Sequence, residues 1–88
     1  MTAITTSAQA ARRAVSWAAS AEDAAQAARA RRQKGDQWAS QRGGRGNSVD
    51  WYERAESYER TRDKAVAMAN MWANIAGVLH LAEEGEPS

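Results

Sequence analysis

The chain contains no cysteine, no phenylalanine and a single proline among its 88 residues. Without cysteine there is no disulfide framework, no thiolate zinc site and no thiol nucleophile. Large aliphatic residues are scarce too. Leu, Ile and Val together occupy 8 positions, well under the roughly 20% of Leu, Ile, Val and Phe that marks ordinary globular chains. A single domain of this size then has little with which to build a generous core. Strong charge of one sign is also missing. A net charge of +1, with four Trp and two Tyr, argues against the disorder that low hydrophobicity would otherwise imply. No basic segment followed by an apolar one opens the chain, so no secretory signal peptide is expected. The expected location is cytoplasmic, with signal-less export left open. The most apolar stretch, residues 65–82, reaches about one membrane thickness. Asn70, Asn74 and His80 interrupt it and its many alanines keep it mild, so no membrane span is expected.

What the chain does have is alanine, at 21 positions, and with it a strong helical propensity. A capping-box pattern at Thr6-x-x-Gln9 opens a segment free of Pro and Gly as far as Gly35. A second such pattern at Ser20 to Asp23, and the glycine at 35, mark possible breaks. Arg29, Arg31, Arg32 and Lys34 are cations suited to a helix C-terminus just before that glycine. The second segment starts near Asn47 or Ser48, with Asp50 and Glu53 in its first turn, and runs to Glu83 or Glu84 before Gly85 and Pro87. The expectation is an all-α chain with one domain over residues 1–88: helix 6–42, Gly-rich turn 43–46, helix 48–84 and a short acidic tail 85–88. Two arms of equal length joined by a short connection form an antiparallel helical hairpin.

Tryptophan spacing points the same way. Trp17 and Trp38 are 21 residues apart, as are Trp51 and Trp72, and 21 is three heptads, so each pair shares one stripe of its own helix. Folding the chain at Gly43-Gly44-Arg45-Gly46 brings level those positions whose numbers total 89, Trp17 with Trp72 and Trp38 with Trp51. The predicted seam runs Ala10, Ala14, Trp17, Ala21, Ala24, Ala28, Arg31, Gly35, Trp38 on the first arm. On the second it runs Trp51, Ala55, Tyr58, Arg62, Ala65, Ala69, Trp72, Ala76, Leu79. Large rings resting over alanine permit close approach. Arg31 and Arg62 beside Tyr58 are expected to snorkel, with a cation–π contact available.

One copy of this hairpin leaves a surplus. The first arm carries Ile4, Val15, Trp17 and Trp38 as its large apolar groups, whereas the second carries Val66, Met68, Met71, Trp72, Ile75, Val78, Leu79 and Leu81 around much of its circumference. Such a surface signals an interface. The expected solution is self-association through residues 66–82, two hairpins forming a C2 four-helix bundle, or docking on another protein. The expected function is therefore a non-enzymatic interaction or scaffolding module.

Chemistry-bearing motifs are few. His80 is the single histidine, and the order His80-Leu-Ala-Glu83 is not the Glu-x-x-His of bundle di-iron sites. Asp50, Glu53, Glu56, Glu59 and Asp63 alternate with Arg54, Arg60, Arg62 and Lys64, the pattern of a solvated ion-paired face. No enzyme, metal or cofactor is expected. GGRG lacks the spacing and the Lys-Ser/Thr ending of a phosphate-binding P-loop and reads as a turn. Arg29, Arg31, Arg32, Lys34, Arg42 and Arg45 oppose only Asp36 between residues 29 and 45. That basic tip, with Trp38 nearby, makes nucleic-acid binding the alternative function. Finally, the length, the central turn and the Trp near it resemble the small Trp-x-Gly hairpins exported by type VII secretion, and the resemblance implies an exported helical dimer. Here neither Trp38 nor Trp51 is followed by x-Gly. The Tyr-x-x-x-Glu that such proteins carry behind the hairpin occurs as Tyr52 to Glu56, at the start of the second helix.

Overall fold

The computed structural model describes residues 5–41 and 43–85. Two helices account for nearly all of them: α1, Ser7–Ala39, and α2, Arg45–Gly85. They lie against each other along their length in an antiparallel hairpin measuring 71 × 22 × 12 Å. The smallest dimension is that of a single helix. Such a layer has no interior beyond the seam, and this is why no large side chain is fully buried.

α1 begins at the capping box: the Gln9 amide donates to Thr6 Oγ1 (3.2 Å) and the Thr6 amide to Gln9 Oε1 (3.0 Å). Neither Ser20 nor Gly35 breaks the helix, so Arg29 to Lys34 lie in its body and not at its C-terminus. It stops three residues before the expected position 42. The Ser40 hydroxyl donates to the Gln37 carbonyl (2.8 Å) and the Gln41 amide to the Trp38 carbonyl (3.1 Å), closing the last turn tightly. The connection then depends on two glycines. Gly43 has φ 80°, the left-handed region, and a side chain on Gly44 would overlap the Trp38 carbonyl oxygen.

α2 starts earlier than expected because the Gly44 carbonyl already accepts from the Ser48 amide at 3.0 Å. The arms are therefore 33 and 41 residues long and not equal. Asp50 and Glu53 fall beyond the first turn.

The seam is lined with the smallest side chains. Ala10, Ala21, Ala24, Ala28, Ala55 and Ala65 are buried, together with Gly35, while Trp17, Trp38, Trp51 and Trp72 are half-buried along its edges. An alanine seam lets two backbones approach closely, and indoles too large for the gap lie across its rims. The helix running Gly46–Gly85 is long and apolar enough to cross a membrane by length and composition. Only 6% of its most apolar window is buried, so the hairpin itself does not cover that stretch.

Candidate functional site

The register of the hairpin rests on three contacts that were not expected and on one that was, Arg31 over Tyr58. Pairs that meet across the seam total 90 for Ser7 with Glu83, 91 for Arg32 with Glu59, 88 for Asp36 with Tyr52 and 89 for Arg31 with Tyr58. At the open end the Glu83 carboxylate receives the Ser7 amide (2.9 Å) and the Ser7 hydroxyl (2.5 Å), an acid satisfying an otherwise orphan N–H at the start of α1. These two bonds hold its carboxyl below the usual range. Near the middle, Arg32 Nε and Nη2 both reach Glu59 Oε1, at 2.7 and 2.5 Å. The pairing raises the Arg32 pKa.

Close to the turn, the Tyr52 ring packs closely on Gly35; a Cβ there would sit 2.6 Å from Tyr52 Cε1. The phenol donates to Asp36 Oδ1 at 2.6 Å, and that bond pushes the Tyr52 pKa up. Gly35 is thus a docking point for a ring. The sequence placed Gly35 on the seam of a helix expected to reach residue 42, with a break there as a possibility, and gave Tyr52 no structural role. The cue was available, since a register total of 89 sets Tyr52 level with residue 37, beside Gly35 and Asp36.

The arginines placed on the seam part company. Arg31 lies over the Tyr58 ring, 5.4 Å from its centroid, whereas Arg62 pairs with its neighbour Asp63 at 2.9 Å. Tyr58 itself is exposed at the seam edge. Arg13 covers the Trp72 ring at 4.6 Å, which ties Trp72 to the hairpin. His80 Nε2 lies 3.1 Å from Glu84 Oε1 on the solvent side of α2. Among the described residues no three His, Cys, Asp or Glu side chains gather as metal ligands.

Two surfaces remain. The first is apolar: Val66, Met71, Val78 and Leu81 are 43, 41, 67 and 70% exposed, Met68, Ile75 and Leu79 are half-buried, and Asn74, Ile75, Val78 and Leu79 line a shallow groove of about 260 Å³. The second is an open cleft of about 300 Å³ beside the turn, lined by Lys34 and Trp38 from α1 and by Asn47, Asp50, Trp51 and Arg54 from α2. Of the other basic-tip residues, Arg29 is exposed and Arg32 is engaged by Glu59. Arg42, the Arg45 side chain and the tail 86–88 lie outside the described residues.

Fold and surfaces define a class, an elongated alanine-seamed helical hairpin with an uncovered apolar flank. Compared with known protein families, curated proteins and solved structures, the chain matches none of them. The functional reading therefore rests on geometry and chemistry alone.

Proposed function

We propose that this protein is a non-enzymatic helical interaction module that assembles with a second copy of itself, the C-terminal halves of two α2 helices forming the centre of a four-helix bundle. The observation that carries the reading is a second heptad stripe on α2. Met68, Met71, Ile75, Val78 and Ala82 recur at spacings of three and four. The stripe stands one residue before the seam positions Ala69, Trp72, Ala76, Leu79 and Glu83, with Met71 and Val78 exposed in the hairpin. One residue is about 100° of helix circumference, close to the right angle between the two neighbours of a helix in a square bundle. A helix with two apolar seams so placed has two partners, and the hairpin supplies one.

Area supports the same conclusion. The chain exposes 6668 Å², against about 5,100 Å² expected for a compact monomer of this mass. The surplus exceeds the roughly 800 Å² that each partner gives to a standard interface. Orientation follows from what continues the stripe toward the turn: Lys64, Thr61, Ser57, Arg54 and Asp50. A parallel pair would set Lys64 against Lys64 and Arg54 against Arg54, an unfavourable juxtaposition of like charge. An antiparallel pair overlapping only around residues 68–82 keeps these groups apart.

Light scattering across concentration tests the reading, with the mass expected at twice the 9.6 kDa of the chain. Spin labels on Ser40→Cys should then lie about 80 Å apart, from the helical rise. A folded monomer at every concentration defeats the proposal. Partition of the chain into lipid vesicles would instead assign the apolar flank of α2 to a bilayer.

A further inference from the structure

The cleft beside the turn brings partnerless polar groups together with two indoles. Along the hairpin Arg32 is engaged by Glu59, Arg62 by Asp63, His80 by Glu84, Glu83 by Ser7 and Asp36 by Tyr52, while Glu22, Asp23, Arg29 and Arg60 stand exposed with no aromatic ring beside them. In the cleft, the side chains of Lys34, Asn47 and Asp50 have no hydrogen-bond or ion-pair partner among the described residues. Arg54 lies over the Trp51 ring, its Cζ 4.7 Å from the centroid, a cation–π contact that keeps the guanidinium at the cleft. Two half-buried indoles, Trp38 and Trp51, line the same opening from the two helices.

We infer that this cleft binds single-stranded nucleic acid, one base stacking on the indoles while Lys34 and Arg54 take the flanking phosphates. The composition of the walls selects this ligand chemistry. Indole faces offer a stacking platform that tolerates any base, and cations beside them follow the backbone. Asp50 accepts from base amino groups, and the Asn47 amide offers both donor and acceptor. An alkylammonium ligand, the other usual occupant of paired indoles, is disfavoured by two cations in the wall. The volume, about 300 Å³, is at the small end of ligand pockets and suits one nucleotide. The opening to solvent lets a strand enter and leave.

The site lies at the opposite end of the molecule from the apolar stripe and does not depend on self-association. A variant carrying Met71→Lys and Val78→Lys is therefore expected to retain it, which separates the two readings. Titration of the full chain with an eight-nucleotide oligothymidylate, followed by tryptophan fluorescence, tests the inference. Expected are saturable quenching, a log affinity against log salt slope of about −1.4 for two phosphates, and at least a tenfold loss of affinity in Trp38→Ala. Trp38→Phe, which keeps a ring at the position, should lose less. Lys34→Gln with Arg54→Gln should flatten the salt dependence while helicity by circular dichroism stays unchanged. The inference is overturned by oligonucleotide affinity that is unchanged in both Trp38→Ala and Trp51→Ala. Inorganic polyphosphate binding as tightly as the octamer would reduce the cleft to a generic anion patch, and thymidine monophosphate binding as tightly would make it a free-nucleotide site; either result also overturns it.

Discussion

Between the turn and Ala65 the two helices are joined by directed contacts: the Tyr52 phenol on Asp36, its ring on Gly35, Arg31 over Tyr58, and Arg32 on Glu59. Between Ala65 and Gly85 the joining is sparser, with Arg13 over Trp72 and the Glu83 carboxylate on Ser7, yet that half carries Met71, Val78 and Leu81 in the open. The halves share one alanine seam and differ in what surrounds it. Near the turn, polar contacts specify register, and the exposed large apolar groups of α2 there are Val49 and Tyr58, which form no stripe. In the open half, apolar surface exceeds what the facing helix can cover. Hydrophobic burial is non-directional and acts on whatever partner is available, whereas hydrogen bonds and stacked rings require one geometry. One half thus supplies specificity within the chain, and the other has surface left for a partner.

The largest effect should come from breaking the open half. Met71→Lys with Val78→Lys is expected to weaken self-association at least a hundredfold, since charges must be desolvated at the stripe, and light scattering would show the monomer. Ser57→Lys with Thr61→Lys, on the same stripe nearer the turn, should leave the mass unchanged. An equal loss in both variants would erase the distinction between the halves.

Next in size is a lesion in the directed half. Gly35→Val would put atoms where the Tyr52 ring now packs. Despite the better helix propensity of valine, overpacking should cost about 1–3 kcal/mol, a fall in Tm of about 10 °C for a chain of this size. Tyr52→Phe keeps the ring and removes the bond to Asp36, for a loss of only a few degrees.

The smallest effects are on pH. Tyr52 is raised above its ordinary value of 10.0 by its bond to Asp36, so its contribution is complete below that value and disappears as pH climbs through the raised one. Tyr52→Phe should abolish this alkaline decline. Glu83 is depressed below 4.5 by the bonds from Ser7. Its contribution is present above 4.5 and is lost as pH falls through the depressed value. Ser7→Ala should shrink that acid-side slope in thermal melts recorded between neutral and acid pH; an unchanged slope would mean that the open-end bonds contribute nothing.

Much of this architecture was legible in the residues. Thr6 and Gln9 announced the start of α1, and the heptad spacing of the tryptophans located the stripe on which the buried alanines lie. The glycines at 43 and 44 marked the turn. Helix ends were read less well, because Ser40 and the Gly44 carbonyl act as caps through backbone geometry that composition does not reveal. Gly35 was legible as a seam position but left a break possible. The ring that packs on it could not be read from its neighbours, because Tyr52 lies 17 positions further on.

Local preference along one chain was therefore enough to establish two helices, their shared stripe and an approximate register, because propensity and periodicity act over a few residues at a time. Which polar groups hold that register, and which remain unpaired beside Trp38 and Trp51, was decided only when the helices met. A side chain's partner depends on ångström-scale placement across the seam, which no spacing within a single helix encodes.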